Sequence, residues 1–305
     1  MFNDVIVHDV GLRDGLQMEK QFIPLQKKNE LINLLFDAGV DIIQFGSFVN
    51  PAKVPQMKDT DELIKGFVNN PSRGKSVISA LVLNEKGLER GMDCGAEMFC
   101  MGVSASETHS MKNTGMTTNE ALSRIIPMAK EAIQFGKKVQ VSVQSAFGCG
   151  FEGRISEERV YKIISEYLNK DLNNISLADT AGHANPAQVE RMFGKLFDMD
   201  KSVEPACHFH NTYGMGLVNI YTAVQSGVKY IETAFGGLGG CPFTKSPAGN
   251  VATDDFVHMI QQMGYRSDIN INKIIKASKI LAEILGKQLP GLVYKNGVLH
   301  DQSKL

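Results

Sequence analysis

KVQVSVQSA (residues 138–146), SEERVYKIISEYLNK (156–170) and NISLADTAG (174–182) are three consecutive stretches that decide the fold. Two short β-rich runs flank a segment of helical periodicity, and Glu157 and Glu158, set between Ser156 and Arg159, suit a helix's first turn. The same unit recurs in both directions. Upstream, VIVHDVG (5–11) precedes an amphipathic stretch over 25–37, and DIIQFGS (41–47) precedes KDTDELIKGFV (58–68), where Asp59 and Thr60 give an N-cap signal. SVISALVL (76–83) then precedes a helix near 84–92, and EMFCMGVSA (97–105) precedes a long helix over about 119–135. Downstream, NPAQVERMFGKLFDM (185–199) has Pro186 at a plausible first helical position. EPACHFHNTYG (204–214) leads to MGLVNIYTAVQSG (215–227), and YIETAFGGLGG (230–240) leads through a loop to TDDFVHMIQQMG (253–264).

Eight strand–helix units without a linker predict a parallel sheet closed into a (β/α)8 TIM barrel, an α/β fold. The competitor, an open doubly wound sheet, would carry a glycine-rich phosphate turn after its first strand, and GLRDGLQ (11–17) does not fit that pattern. The whole of 1–305 reads as one catalytic barrel domain, with 266–305 an appended helical segment packed on the outside.

Composition sets limits on function. Of the chain, 43% is hydrophobic and 21% charged, which excludes wholesale disorder. A net charge of −1 argues against a nucleic-acid partner, and no apolar run reaches the ~18–20 residues of a membrane span. The five cysteines are irregularly spaced with no C-x-x-C pair, which suggests reduced thiols rather than disulfides or a thiolate zinc site. The strand-like DVIVHDVG starts at residue 4, leaving no room for a leader ahead of it, so a cytoplasmic location is expected. The terminal Ser303-Lys304-Leu305 would be a peroxisomal address in a eukaryote and means nothing in a bacterium.

In such barrels the chemistry sits at the C-terminal ends of the strands. Arg13 and Asp14 end the first unit, Gln44 the second, Asp179 the sixth, and His208 and His210 the seventh, while the loop after the eighth carries Cys241 and Asn250. On a strand, residues i and i+2 share a face about 6.5–7 Å apart, so both imidazoles can converge on one ion. With them facing the axis, Cys207 and Phe209 face the helices, which suits their apolar character. Two His, an Asp, an Asn carbonyl and waters suit Mn²⁺, Mg²⁺, Fe²⁺ or Co²⁺. Asp14 is the natural anionic ligand, though an RDG aspartate elsewhere would be a turn residue. Cys241, between glycines and Pro242, is either a proton donor on a mobile loop or a small packing residue.

Six stretches together resemble the hydroxymethylglutaryl-CoA lyase family: VGLRDGLQMEK (10–20), SFVNPAKVPQM (47–57), SASETHSMKN (104–113), ISLADTAG (175–182), HFHNTYG (208–214) and GGLGGCPFTKSPAGNVATDD (236–255). R-D-G-x-Q alone would indicate a wider group that includes citramalate- and homocitrate-type synthases and ketoacid aldolases. The Gly-Gly-Cys-Pro loop followed by Ala-Gly-Asn points to the lyase branch. The resemblance implies a divalent metal, Mg or Mn, held by Asp14, His208, His210 and Asn250. It also implies Arg13 as stabiliser of a thioester enolate, Cys241 as its proton donor, and Asp179 as a functional acid. Arg13, Gln17, Ser47 and Asn50 are candidate substrate contacts, with His183 either an added contact or an exposed loop histidine. The implied reaction is retro-Claisen cleavage of a 3-hydroxy-acyl-CoA, and the implied assembly a homodimer.

Two departures stand out. Gln44 occupies a position where the family is expected to carry a glutamate, and an amide cannot act as a general base. Asn211 replaces a common aspartate beside the second histidine, removing a charge that could tune it. Gln44 therefore keeps a condensing enzyme or aldolase of the same group in play. A catalytically weak acyl-CoA-binding homologue is the non-enzymatic alternative. Lys20, Lys53, Lys58, Lys112 and Lys245 fall in loops at the catalytic end, where they could meet phosphates or simply be solvated.

Overall fold

A computed structural model describes residues 2–240 and 249–299; Cys241, Lys245 and Ser303-Lys304-Leu305 lie outside them. Eight parallel strands close in sequence order: β1 Ile6–Asp9, β2 Ile42–Ser47, β3 Val77–Leu81, β4 Met98–Ser104, β5 Lys138–Gln144, β6 Asn174–Asp179, β7 Glu204–Phe209 and β8 Tyr230–Thr233. β1 meets β8 with Ile6 opposite Tyr230 and His8 opposite Glu232, which seals the TIM barrel expected from the repeating unit. Around it run α1 Leu25–Ala38, α2 Thr60–Phe67, α3 Glu85–Cys94, α4 Glu107–Thr114, α5 Thr118–Gln134, α6 Glu157–Leu168, α7 Pro186–Met199, α8 Gly216–Gln225 and α9 Thr253–Gln262. Two further helices follow, α10 Ile271–Leu285 and α11 Val293–Asn296. Among the described residues no helix is long and apolar enough to cross a membrane.

Strand alternation divides the interior into two cores. On β5, Val139, Val141 and Val143 join the layer between sheet and helices, while Gln140, Ser142 and Gln144 face the lumen. On β7, Cys207 and Phe209 lie in that outer layer, with Phe209 5.4 Å from the Phe147 ring, and His208 faces inward. Each fully buried Val, Leu or Phe in this layer contributes about 1.5–3 kcal/mol. A smaller cluster inside the barrel, Ile42, Met98 and Cys100 against Ile6, Val77, Leu81 and Tyr230, plugs the floor of the lumen. The polar side chains sit above this plug.

Three local features differ from the sequence reading. Helix α4 was not anticipated; it forms because Ser106 caps it through His109 N (3.1 Å) while Glu152 accepts from Ser106 Oγ and Thr108 N, both at 2.7 Å. Asp59 does occupy the N-cap position of α2, but its carboxylate makes no cap bond. Instead Lys28 Nζ reaches it at 2.6 Å in a buried pair and also donates to the Gln56 carbonyl at 2.7 Å. A buried cation recruits the nearest carboxylate because leaving either charge alone costs about 3–5 kcal/mol. Ser156 likewise makes no cap bond, although Glu157 and Glu158 take the first turn of α6 as expected. Pro186 opens α7 behind Asn185, whose side chain accepts from Gln188 N.

The segment after α9 is tied to the barrel at both ends of the strands. Asn270 N donates to the Ala38 carbonyl (2.8 Å), which joins the start of α10 to the end of α1. Asp254 accepts from Gly236 N (2.7 Å) and Tyr294 N (3.0 Å), and Gly291 N donates to Gly236 O (2.8 Å). These bonds brace the loop after β8 from behind, directly beside the functional end.

Candidate metal centre and its cavity

The chain leaves β1 through a five-residue π turn, Gly11–Gly15, a distortion that recurs at functional sites. Buried Asp9 fixes it from below. Its carboxylate accepts from Gly11 N (2.8 Å), Phe235 N (2.9 Å) and Thr253 Oγ1 (2.6 Å), and burial lifts its pKa to about 7 against those bonds. Gly11 is required by contact, since a Cβ there would lie 2.6 Å from the Phe235 ring. The turn hangs Arg13 and Asp14 over the lumen.

Asp14 Oδ2 lies 4.0 Å from His208 Nε2 and 3.8 Å from His210 Nε2, and the three residues offer ligand atoms all within 4.8 Å of one another. Cations in oxygen and nitrogen sites sit about 2.0–2.2 Å from each ligand, so two atoms can share one ion up to about 4.4 Å apart. Both carboxylate–imidazole separations meet that limit. Asn250 arrives by backbone pairing: it bridges His210, with Asn211 N bonded to Gly249 O (3.0 Å) and Val251 N to Phe209 O (3.2 Å). Its Nδ2 donates to Asp14 Oδ2 and to Leu238 O, both 2.9 Å, and its Oδ1 is buried with no partner among the described residues. Leaving such an acceptor unpaired costs about 1–3 kcal/mol. Two imidazoles and a carboxylate within one ion's reach, with the Asn250 amide bonded to that carboxylate and its oxygen unmatched, are donors a divalent cation takes, so these residues fit a metal.

The electrostatics agree. Burial pushes the Asp14 carboxyl up, but the Arg13 guanidinium and the imidazoles outweigh it and hold Asp14 well below the usual carboxylate range. His208 Nδ1 is 3.0 Å from Glu232 Oε2, which aims the opposite ring nitrogen at Asp14. Burial lowers the His208 pKa, yet Glu232 reverses the sign and raises it. Glu232 also accepts from Ser176 Oγ at 2.9 Å. On the far side of Glu232, buried His8 bonds Ser79 Oγ (2.8 Å), and desolvation drops its pKa to about 4, so it is neutral.

Arg13, Asp14, Gln17, Gln44, Asn50, His208 and His210 line one cavity of about 500 Å³, whose mouth is bordered by Lys53, Asn84, Asn113 and Arg124. Arg13 Nη1 pairs with Asp14, and Arg13 Nε donates to Gln44 Oε1. Gln44 is the third residue of β2, facing the lumen, rather than the strand's end. Four expected residues stand outside the lining. Asn250 acts through Asp14. Ser47 is buried with an unpartnered Oγ. Asp179 accepts from His183 N (2.8 Å) and Ala184 N (3.1 Å), holding the turn after β6, and burial lifts its pKa to about 6. His183 packs on Gly148 and lies 6.0 Å from the Tyr213 ring. Asn211 turns back to accept from Gly216 N (2.9 Å), so it shapes the entry to α8. Of the loop lysines, Lys53 lines the cavity, whereas Lys58 and Lys112 lie over the Phe22 and Phe151 rings.

Sequence reasoning missed Glu232, His8, Gln140, Ser142 and Ser176. A signal existed: parallel barrel strands are buried on both faces, so polar residues at alternate positions, as in V-Q-V-S-V-Q, mark lumen-facing sites.

A buried cation site at the strand ends of a parallel barrel, opening on a cavity with a fixed guanidinium, defines a metal-binding barrel enzyme. The HMGL-like family profile matches residues 4–281. The hydroxymethylglutaryl-CoA lyase of Bacillus subtilis is 36% identical over 94% of this chain and 95% of its own. An (R)-citramalyl-CoA lyase of Chloroflexus aurantiacus is 35% identical over 98% and 96%. A solved HMG-CoA lyase from Acinetobacter baumannii, in complex with coenzyme A and 3-methylmalate, superposes with a TM-score of 0.91 at 35% identity, covering 99% of both chains. The chain belongs to the HMGL-like family of carbon–carbon lyases.

Proposed function

We propose that this protein cleaves 3-hydroxy-3-methylglutaryl-CoA, or a close 3-hydroxy-acyl-CoA, into acetyl-CoA and acetoacetate or the matching keto acid. The observation that carries the reading is the cluster of Asp14, His208 and His210, with the Asn250 amide bonded to Asp14, set with Arg13 above a cavity of acyl-group size. A bound Mg²⁺ or Mn²⁺ would supply Lewis acidity to the carbinol oxygen of the substrate. Asp14, His208, His210 and Asn250 would hold it, with Glu232 fixing the His208 ring.

The carbinol O–H proton passes to solvent, and as the resulting C–O⁻ becomes C=O, the adjacent C–C bond breaks and its electron pair passes into the thioester enolate. Arg13 meets that oxyanion. Its charge is permanent, and its Nε and Nη1 are committed to Gln44 and Asp14, so the remaining N–H groups are pre-aimed. The enolate carbon takes a proton from the Cys241 thiol, completing acetyl-CoA. Cys241 follows Gly240, which lines the cavity. Acetyl-CoA leaves through the mouth bordered by Lys53 and Arg124, and two copies form a homodimer in the cytoplasm. The (R)-citramalyl-CoA relative favours a second substrate, a shorter ester yielding pyruvate.

The test is acetyl-CoA release from a panel of 3-hydroxy-acyl-CoAs, including both named esters, with Mg²⁺ or Mn²⁺. Release that stops on chelation and returns with metal is expected. No release from any ester by metal-loaded protein overturns the reading.

A further inference from the structure

The floor of the lumen holds a directional hydrogen-bond chain that the lyase chemistry leaves unexplained. It begins at Arg13, a donor with no acceptor capacity. Because Arg13 Nε donates, Gln44 must present Oε1 to it, which turns the Gln44 amide nitrogen to the Cys100 sulfur. The Cys100 thiol in turn donates to Gln140 Oε1 at 3.8 Å. Gln140 is 2% exposed and lines the cavity, and its Nε2 has no partner. Every amide orientation in the chain is thus set by the arginine at its head, and the last link leaves a buried N–H pair unmatched.

The surroundings suit a neutral oxygen rather than a second carboxylate, because the Glu232 carboxylate lines the same space and already accepts from Ser176 Oγ. Ser142 and Ser176 line the same space. Ser142 Oγ fits only because its neighbour on β4 is Gly102, where a Cβ would lie 1.9 Å from it. His8, the nearest titratable ring on the floor side of Glu232, is neutral. We infer that the lumen beneath the metal centre is a subsite for an oxygen-bearing branch of the acyl group, with Gln140 Nε2 as its hydrogen-bond donor. This rests on the acyl-CoA reading above and names the substrate class within it: a tertiary carbinol whose third branch, where hydroxymethylglutaryl-CoA has only a methyl, carries a hydroxyl or carbonyl oxygen. An unmatched buried donor penalises a branch that lacks the oxygen, and that penalty is the source of discrimination. Gln44 acquires a role here. A glutamate in its place would accept from the Cys100 thiol, free the Gln140 amide to flip, and erase the polarity of the chain.

Two esters of matched size separate oxygen from bulk: 3-hydroxy-3-(hydroxymethyl)glutaryl-CoA and 3-ethyl-3-hydroxyglutaryl-CoA. The native enzyme is expected to favour the first in kcat/KM by roughly tenfold or more. Gln140→Leu should bring the ratio close to one with Mn²⁺ affinity unchanged, and Gln44→Glu should reduce it. A native ratio near one, or a ratio that survives Gln140→Leu, overturns the subsite. If Gln140→Leu does not fold, Gln140→Asn, which shortens the amide's reach, must lower the ratio instead. Should no ester be cleaved, the lyase reading fails separately. The subsite is then read by calorimetry with the same two esters: tighter binding of the hydroxymethyl ester supports it, and equal binding sinks it.

Discussion

Both ends of the barrel bury an arginine among carboxylates, and the two are finished differently. At the N-terminal end, Arg266 donates to Asp41, to Asp268 and to the Val5 carbonyl, and the acids together raise its pKa. At the C-terminal end, Arg13 has one carboxylate and one amide, and around it Asn250 Oδ1, His210 Nδ1 and Gln140 Nε2 are buried without partners. Polar atoms that are satisfied within the chain stabilise it. Polar atoms left unmatched carry a standing cost that a ligand can remove, and beside Asp14, His208 and His210 that cost points to an occupant.

The largest test of this contrast exchanges the two ends. His210→Ala should lower kcat/KM by about 10³-fold, since it removes a ligand from the cation that polarises the carbinol, while melting temperature changes little because His210 Nδ1 has no partner among the described residues to strand. Arg266→Ala should do the reverse, costing about 2–3 kcal/mol in denaturant unfolding, the figure being reduced from a fully buried pair because Asp268 is 64% exposed. Activity of the folded Arg266 variant should match the native enzyme. Equal stability losses in the two variants would show that the ends are not specialised.

A smaller effect tests the layer beneath the metal. Glu232→Gln weakens the bond that sets the His208 ring, so Mn²⁺ affinity by calorimetry should fall about 10–100-fold. Unchanged affinity would mean that packing alone orients the ring.

The smallest effect concerns the brace behind the rim. Burial raises the Asp254 carboxyl to about 6 from an unfolded value near 3.8. The folded state therefore binds the extra proton between those values. Its contribution is fully present below pH 3.8 and is lost as pH rises through about 6. In Asp254→Asn, the slope of unfolding free energy between pH 4 and 6 should become more positive than in the native chain, whatever the absolute loss. An identical slope would remove Asp254 from the pH response.

The elements were legible because they are local. A helix such as α1 ends at Gly39, whose φ of 78° accommodates the turn, and such signals lie within a few residues of what they control. Helix α4 is capped locally by Ser106, but the cap is held in place by Glu152, some forty residues further along the chain. The metal residues were legible for a different reason: His-x-His on a strand fixes its own geometry, and the barrel places strand ends together. Lys28 and Asp59 show the limit, since a capping aspartate and a surface lysine are the local readings of residues that the fold pairs in its interior.

Sequence alone determined the eight-unit barrel and the end of it at which Asp14, His208 and His210 gather. Periodicity and strand spacing are short-range properties that carry over intact into three dimensions. Only the tertiary structure decided which atoms remain unmatched. Asn250 Oδ1 and Gln140 Nε2 are defined by partners contributed from β1, β2, β4 and the loop after β8. A hydrogen bond that is absent is a property of the packed whole, and no stretch of the chain contains it.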